Sequence, residues 1–282
     1  MEKGLVLGLL VGGVGIPLWA QPGWAGCGFP RGAGNLFFSL QPEIFRPRTR
    51  FDEGGRVVSA FSEFDETSLN VFAEAGLTDR LTLNLNTAYT FLENRFASGE
   101  DTVTQRNQGL RDVEVGLRYS WGNGDPFFSG QLTALIPPGY DTQTTPLPLG
   151  YGVFGYDLSG GVAVSGRVGS LPSFFDSCLT FRDYLGYPGN RIKANLTVGA
   201  DLLPSLQTIL SLDGDFTLGN GAPLLFEGNP VQDPDYDNLK LSGQFNWRLD
   251  PGWTLGLGGF HYVSGRNTSA GGGITGYVWL SY

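Results

Sequence analysis

Long runs of alternating apolar and polar residues constrain this chain more than any other feature. In the last strand-like run the apolar parity holds Ile274, Val278, Leu280 and Tyr282, and the other parity holds Thr275, Tyr277, Trp279 and Ser281. A period of two places successive side chains on opposite faces of a β-strand. Comparable runs recur along the whole chain, so the sequence predicts an all-β protein.

Twelve strands are predicted from these runs, and most have ten or more residues. They lie near residues 35–45, 66–76, 81–91, 112–121, 127–137, 156–166, 174–184, 191–201, 206–218, 238–249, 253–264 and 271–282. A tilted strand needs about 9–11 residues to cross a membrane. A soluble sandwich usually has strands of about 3–10 residues, and a propeller would show a repeat of about 40–45 residues, which this sequence lacks.

The connections between these runs alternate in length. Short turns are predicted at residues 76–79, 122–126, 203–205 and 250–252, and long segments near 46–64, 93–108, 138–155 and 219–236. Short turns on one side and long loops on the other are typical of outer-membrane barrels. The sequence therefore predicts a single transmembrane, antiparallel, up-and-down β-barrel of about twelve strands, with both chain ends on the periplasmic side.

The first 25 residues have the pattern of a targeting segment. Lys3 precedes an apolar run over residues 4–19, and small residues follow at Ala20 and Ala25. The run is short for a membrane-spanning helix, which needs about 20 residues. Residues 1–25 are predicted to be a cleaved secretory signal peptide, with cleavage after Ala20 or Ala25. Residues 26–282 form the predicted barrel, and 26–34 a periplasmic or plug segment.

Composition excludes several function classes. The net charge is −9 and 16% of the residues are charged, which argues against a nucleic-acid partner. With one histidine and no CxxC motif, a multi-histidine or zinc site is excluded, and no cofactor is implied. The two cysteines, Cys27 and Cys178, are far apart in sequence, and we expect no disulfide between them.

The polar parity of the strands is predicted to face the lumen, because an Arg or Lys facing lipid at mid-depth costs about 2–4 kcal/mol. The predicted pore-lining residues are Glu74, Arg80, Asp112, Glu114, Arg118, Asp157, Arg191, Lys193, Asp201, Asp213, Asp215, Lys240 and Arg248. Seven acids face six bases in this set. Two interpretations stay open: an ion-pair network that packs the lumen, or side chains that line a hydrated path.

Two apolar stretches fall in the predicted outer loops. They contain Leu147, Leu149 and Tyr151 in one loop, and Leu224, Leu225 and Phe226 in the other. One interpretation is that these side chains capture a hydrophobic solute at the mouth of the barrel. The alternative is that they pack on each other as a lid.

Two motifs resemble known barrels. Gly76–Leu83 (GLTDRLTL) resembles a periplasmic hairpin common in bacterial outer-membrane barrels. Gly109–Tyr119 is similar to a strand of the transporter-like family named after a MetA pathway of phenol degradation, although Leu110-Arg111 stands where that family has a second glycine. Ile136–Gly139 and the glycine-rich Asp157–Gly166 match as well. The resemblance covers most of residues 70–282 and implies a twelve-stranded barrel that passes small aromatic or hydrophobic compounds.

The sequence thus predicts a porin-like channel, not an enzyme, in the outer membrane of a Gram-negative-type bacterium. Its expected partners are outer-membrane lipid, small-molecule solutes and the barrel-assembly machinery, which would read Ile274, Val278, Leu280 and Tyr282 on the last strand. The alternative function is a non-conducting structural or adhesin-like barrel that works through its extracellular loops. A barrel enzyme such as a lipase, which would depend on the single histidine His261, is the least favoured hypothesis.

Overall fold

The computed structural model describes residues 27–98, 101–122, 125–140, 147–185, 189–220, 224–226, 229–232, 235–250 and 252–282. The predicted signal peptide lies outside these residues. The strands are β1 Leu36–Phe45, β2 Thr49–Phe51, β3 Val57–Ser59, β4 Glu63–Gly76, β5 Leu81–Ser98, β6 Asp101–Leu110, β7 Val113–Trp121, β8 Phe127–Ile136, β9 Gly155–Val168, β10 Leu171–Tyr184, β11 Arg191–Leu203, β12 Leu206–Thr217, β13 Leu224–Phe226, β14 Asn229–Gln232, β15 Asp237–Asp250, β16 Trp253–Arg266 and β17 Thr268–Ser281.

Twelve of these strands form a closed antiparallel barrel. Their order around the wall is β1, β4, β5, β7, β8, β9, β10, β11, β12, β15, β16 and β17. The first and last strands pair with each other, with Phe37 opposite Ser281 and Phe45 opposite Gly273. Closure leaves no open sheet edge in the wall. The predicted fold class and all twelve predicted strands are confirmed.

The five remaining strands lie in the long outer connections. β2 pairs with the start of β17 on one side and with β3 on the other, β6 pairs with β5 and extends the wall, and β13 pairs with β14. The long segments predicted as loops near 46–64, 93–108 and 219–236 therefore carry strands of their own. The opposite end has the short turns, and we call it the periplasmic end.

The alternation of side chains is visible in their exposure. On β15, Leu241 and Trp247 are 47% and 43% exposed on the outer surface, whereas Asn246 between them is 1% exposed. On β17 the same contrast separates Ile274, at 60%, from Trp279, at 2%. The apolar parity covers the outside of the barrel, as a wall in contact with lipid requires.

Aromatic side chains on the outer surface lie close to the periplasmic end. Trp121, Phe128, Trp247 and Trp253 are each exposed on the outside, and each stands at or near a strand end next to a short turn. Tyr89 and Phe91 are exposed on the outside farther along β5, toward the outer loops. Aromatic girdles at the two membrane interfaces have this arrangement.

The periplasmic half of the lumen contains an apolar cluster, which the sequence analysis did not predict. Phe37, Ile209, Tyr277 and Trp279 form a buried cluster there, with Phe72 and Phe174 packed against it. These side chains share the inward parity of their strands with polar residues. The inward parity of the strands therefore carries packed aromatic side chains as well as polar ones.

The expectation that Cys27 and Cys178 do not pair is wrong. They form a disulfide, with a Cα–Cα distance of 5.6 Å. Cys178 lies on β10 as predicted, but its side chain points into the lumen, and the chain before β1 enters that lumen from the periplasmic end. Any inward residue can meet a segment inside a barrel, so separation in sequence was the wrong criterion.

A pair of arginine substitutions tests which parity faces lipid. Leu241→Arg places a charge on the outer surface, so we expect the barrel not to assemble or to be destabilised by about 2–4 kcal/mol. Ser242→Arg, the matched control, places the same side chain inside, where Ser242 lines a space shared with Glu43 and Asp213. Heat-modifiable gel mobility of outer-membrane fractions measures assembly. Equal assembly of both variants would contradict the assignment.

Candidate functional site

A chamber of about 350 Å³ lies in the middle of the lumen. Polar side chains from opposite parts of the wall line it, including Asn84, Gln131 and Thr180. The acids that line it are Glu74, Glu114, Asp157, Asp213 and Asp215, and the bases are Arg118, Lys193 and Lys240. Inward parity on seven or more strands brings these groups together, so the chamber is a product of barrel closure.

Arg182 is the centre of an ion-pair cluster at the wall of this chamber. Its guanidinium donates two hydrogen bonds to Asp157, both of 2.7 Å, and one of 2.5 Å to Glu114. Asp157 lies on the neighbouring strand β9, but Glu114 lies on β7, three strands away. The Asn86 amide donates a further hydrogen bond to Glu114 at 3.0 Å. This network links separate parts of the wall through the lumen.

Glu74 is the centre of a second cluster, closer to the periplasmic end. Arg118 on β7 approaches it at 2.8 Å, and Arg31, from the segment before β1, at 2.5 Å. The three side chains are at most 7% exposed. Burial of these three groups costs desolvation free energy, which the attraction between the carboxylate and the two guanidiniums opposes. This cluster therefore joins the N-terminal segment to the barrel wall.

Two further ion pairs lie along the inside of the barrel wall. Arg191 and Asp215 meet at 2.6 Å between β11 and β12, and Arg248 and Asp201 at 2.7 Å near the periplasmic ends of β15 and β11. Arg191 also lies 3.8 Å from the ring centre of Tyr236. Such ion pairs give partners to the charged side chains that the alternating pattern places inside the barrel.

Lys193 and Lys240 present ammonium groups to the chamber. Lys193 has no ion pair within 4.0 Å among the described residues, although it stands opposite Asp215 in the strand register. Lys240 stands opposite Asp213, which accepts a hydrogen bond of 2.6 Å from Asn195. Both lysines and Asp213 line the chamber.

Four predicted pore-lining residues lie away from the chamber. Arg80 is exposed in the turn between β4 and β5, at the periplasmic end, because β5 begins only at Leu81. Asp112 lies just before β7 toward the outer end and accepts a hydrogen bond from the Tyr140 hydroxyl. Asp201 and Arg248 pair near the periplasmic end rather than at mid-depth. Of the other nine predicted residues, eight line the chamber, and the ninth, Arg191, is paired with one of them, Asp215.

The sequence analysis missed several inward charges. Arg182 and Asp176 share the inward parity of β10, and Glu43 that of β1, so the alternation of those strands contained the signal. Asp176 is 3% exposed and accepts a hydrogen bond from the Gly28 amide. Arg31 lies outside the strands, where no periodicity places it.

The loop before β9 folds inward over the chamber. Tyr151 is 7% exposed and packs edge-on against Tyr184, with ring centres 5.1 Å apart, and against Leu135. Leu149 is likewise buried, and Asn107 donates a hydrogen bond of 2.7 Å to the Leu147 carbonyl. We call residues 147–154 the outer lid. Burial raises the pKa of the Tyr151 phenol, which keeps it neutral.

The remaining predicted site residues are described in part. Leu224, Leu225 and Phe226 form the short strand β13, and their side chains lie outside the described residues. Ile274, Val278, Leu280 and Tyr282 share the outward parity of the C-terminal run, and Ile274 and Tyr282 are 60% and 73% exposed. His261 is exposed and stands opposite Leu241, so it lies on the outer surface.

Comparison with known proteins supports the fold. No family model and no curated protein matches the chain. The COG4313 outer membrane channel from Pseudomonas putida F1 is similar, with a TM-score of 0.69 and 15% identity over 93% of this chain and 100% of that one. The autotransporter NalP translocator domain from Neisseria meningitidis gives a TM-score of 0.47 at 10% identity, covering 89% of this chain and 88% of that one. The first likeness confirms, at the level of fold, the resemblance to bacterial outer-membrane barrels.

Proposed function

We propose that this barrel is an outer-membrane channel through which small solutes diffuse passively. The observation that carries the proposal is the chamber of about 350 Å³ inside a closed twelve-stranded wall. A chamber of this size is at the lower end of the range for small-molecule sites, about 300–1,000 Å³. The protein that shares the fold over 93% of this chain is itself described as a channel.

The lining of the lumen supports a solute class for this channel. Tyr151, Tyr184 and Leu135 form an apolar layer at the outer end, and charged groups follow below it. A small molecule with an aromatic or apolar body and a polar group would contact a matching surface at each level. Arginines pair with four of the five acids that line the chamber, so it is the net charge of −9 that would favour cations over anions among small ions.

Planar-bilayer recording tests the channel. Protein purified from outer membranes is expected to give discrete conductance steps, and a salt gradient a reversal potential of cation-selective sign. Asp213→Asn, which removes a chamber carboxylate, should move the reversal potential toward anions. Asp125→Asn is the matched control, since Asp125 is exposed in a periplasmic turn and should leave the potential unchanged. Equal shifts from both variants would contradict a charged conducting lumen.

A non-conducting structural barrel is the second candidate function. The ion pairs of Arg182 with Glu114 and of Glu74 with Arg118 join strands that are not neighbours, and the apolar cluster lies in the periplasmic half of the lumen. These contacts would stabilise a barrel that works through its outer loops. A folded protein that inserts but gives no conductance in any state would favour this function over transport.

A further inference from the structure

Residues 27–34, which we call the N-terminal segment, run from the inside of the periplasmic half of the barrel to its rim, where Ala33 and Gly34 are exposed. Cys27 and Phe29 are 2% and 3% exposed, and Gly28 is buried between them. A Cβ atom on Gly28 would collide with Ala163 on β9, so this position accepts a glycine and no larger residue without displacement. The start of the segment therefore packs closely against the inner wall of the barrel.

The segment crosses the lumen from one side to the other. At its start, Cys27 is bonded to Cys178 on β10, and the Gly28 amide donates to Asp176 on the same strand at 3.2 Å. Four residues later, Arg31 is paired with Glu74 on β4 at 2.5 Å. β4 and β10 are five strands apart in a ring of twelve, so these anchors lie on nearly opposite sides of the wall.

The segment and the apolar cluster together close the periplasmic half. The Phe29 ring packs against Phe174 at 6.4 Å and Phe127 at 6.0 Å between ring centres. The Arg31 guanidinium lies 4.3 Å from the ring centre of Phe37, a member of the cluster. Cys27 and Cys178 both line the chamber above, so the disulfide forms part of its floor.

We infer that the N-terminal segment is a plug, and that the Cys27–Cys178 disulfide is a latch which a dithiol reductant opens. This inference rests on the proposed channel function. Reduction breaks the S–S bond, and two electrons and two protons from the dithiol convert the sulfurs to two thiols while the dithiol becomes a disulfide. The freed segment then keeps few contacts with β10: the Gly28 hydrogen bond and the packing of Phe29 on Phe174.

The disulfide restricts the movement of the N-terminal segment. While Cys27 stays bonded to Cys178 on β10, the segment cannot leave the lumen of the folded barrel. Without the disulfide, the segment is held by hydrogen bonds, the packing of Phe29 on Phe174 and Phe127, and one ion-pair cluster, and each of these contacts is reversible. The open state should therefore become populated when the disulfide is reduced.

Conductance recording on the folded protein tests the latch. Oxidised wild type is expected to conduct weakly, and dithiothreitol should raise its conductance several-fold. Cys27→Ser/Cys178→Ser should show the raised conductance from the start and should not respond to dithiothreitol. Because the reductant acts on protein that is already folded, a folding defect of the variant cannot obscure the result. High conductance of oxidised wild type, unchanged by reduction, would overturn the latch and leave the channel standing.

A labelling experiment separates the plug from the channel. In Cys27→Ser, Cys178 is a free thiol on the inner wall, and a maleimide-coupled polyethylene glycol reports whether the segment still covers it. Rapid labelling of the folded barrel supports an opened plug, and a silent bilayer in that state would overturn the channel function but retain the plug. A Cys178 that stays protected, with conductance at the oxidised level, would overturn the inference.

Discussion

Arg182→Leu is expected to lower the free energy of unfolding by about 3–5 kcal/mol, because it leaves two buried carboxylates without their cation. The Arg182 side chain is 11% exposed, and the side chains of Glu114 and Asp157 are 22% and 9% exposed. Both carboxylates would lose hydrogen bonds that a leucine side chain cannot donate. Urea titration of the refolded protein, followed by heat-modifiable gel mobility, measures the loss.

Two further variants sharpen this experiment. Lys193→Leu is the matched control, since Lys193 also faces the chamber but has no ion pair among the described residues, and we expect a change of about 1 kcal/mol or less. Adding Glu114→Gln and Asp157→Asn to Arg182→Leu removes the orphaned charges and should recover most of the stability. If Arg182→Leu, Lys193→Leu and the triple variant unfold at the same urea concentration, the ion pairs of Arg182 do not stabilise the barrel.

The wall of the barrel could be predicted from sequence because a strand with one side in lipid and one in the lumen must alternate. Leu241 beside Lys240 illustrates how directly that pattern gives a face for each side chain. It also gives the inward position of Glu114 and Asp157. The pattern does not give their partner, since Arg182 reaches Glu114 across three strands only once the barrel has closed.

The contents of the lumen were less predictable for a related reason. Trp279 and Tyr277 lie on the inward parity, yet whether an inward aromatic is solvated or packed depends on the opposing strands. Cys27 and Arg31 precede the first strand, so no periodicity assigns them a face. Their placement follows from the disulfide and the Glu74 ion pair, which join residues that only the closed barrel brings near each other.

Tyr151→Ala is expected to open the outer end of the lumen and raise the flux of small solutes several-fold. Tyr151 is the buried aromatic side chain of the outer lid and contacts Tyr184 and Leu135, on strands that are two apart in the wall. Removal of a buried aromatic ring leaves a cavity, because the surrounding residues relax only partly into the space.

Other contacts of the outer lid limit how far Tyr151→Ala opens the lumen. The Tyr140 hydroxyl accepts a hydrogen bond of 3.2 Å from the Gly152 amide and donates to Asp112, and Asn107 holds the Leu147 carbonyl. They anchor the backbone of the lid at its flanks but put no side chain into the space that Tyr151 fills. The barrel should therefore assemble normally while its outer end becomes wider.

Liposome swelling with a series of aromatic solutes of increasing size measures this change. Tyr156→Ala is the matched control, because Tyr156 is 36% exposed on β9 and lies outside the lumen. Reduced Tyr151→Ala should admit larger solutes than reduced wild type, since the plug and the lid then no longer act in series. If oxidised Tyr151→Ala swells as fast as its reduced form, the disulfide-held floor is not a barrier, and the lid alone limits passage.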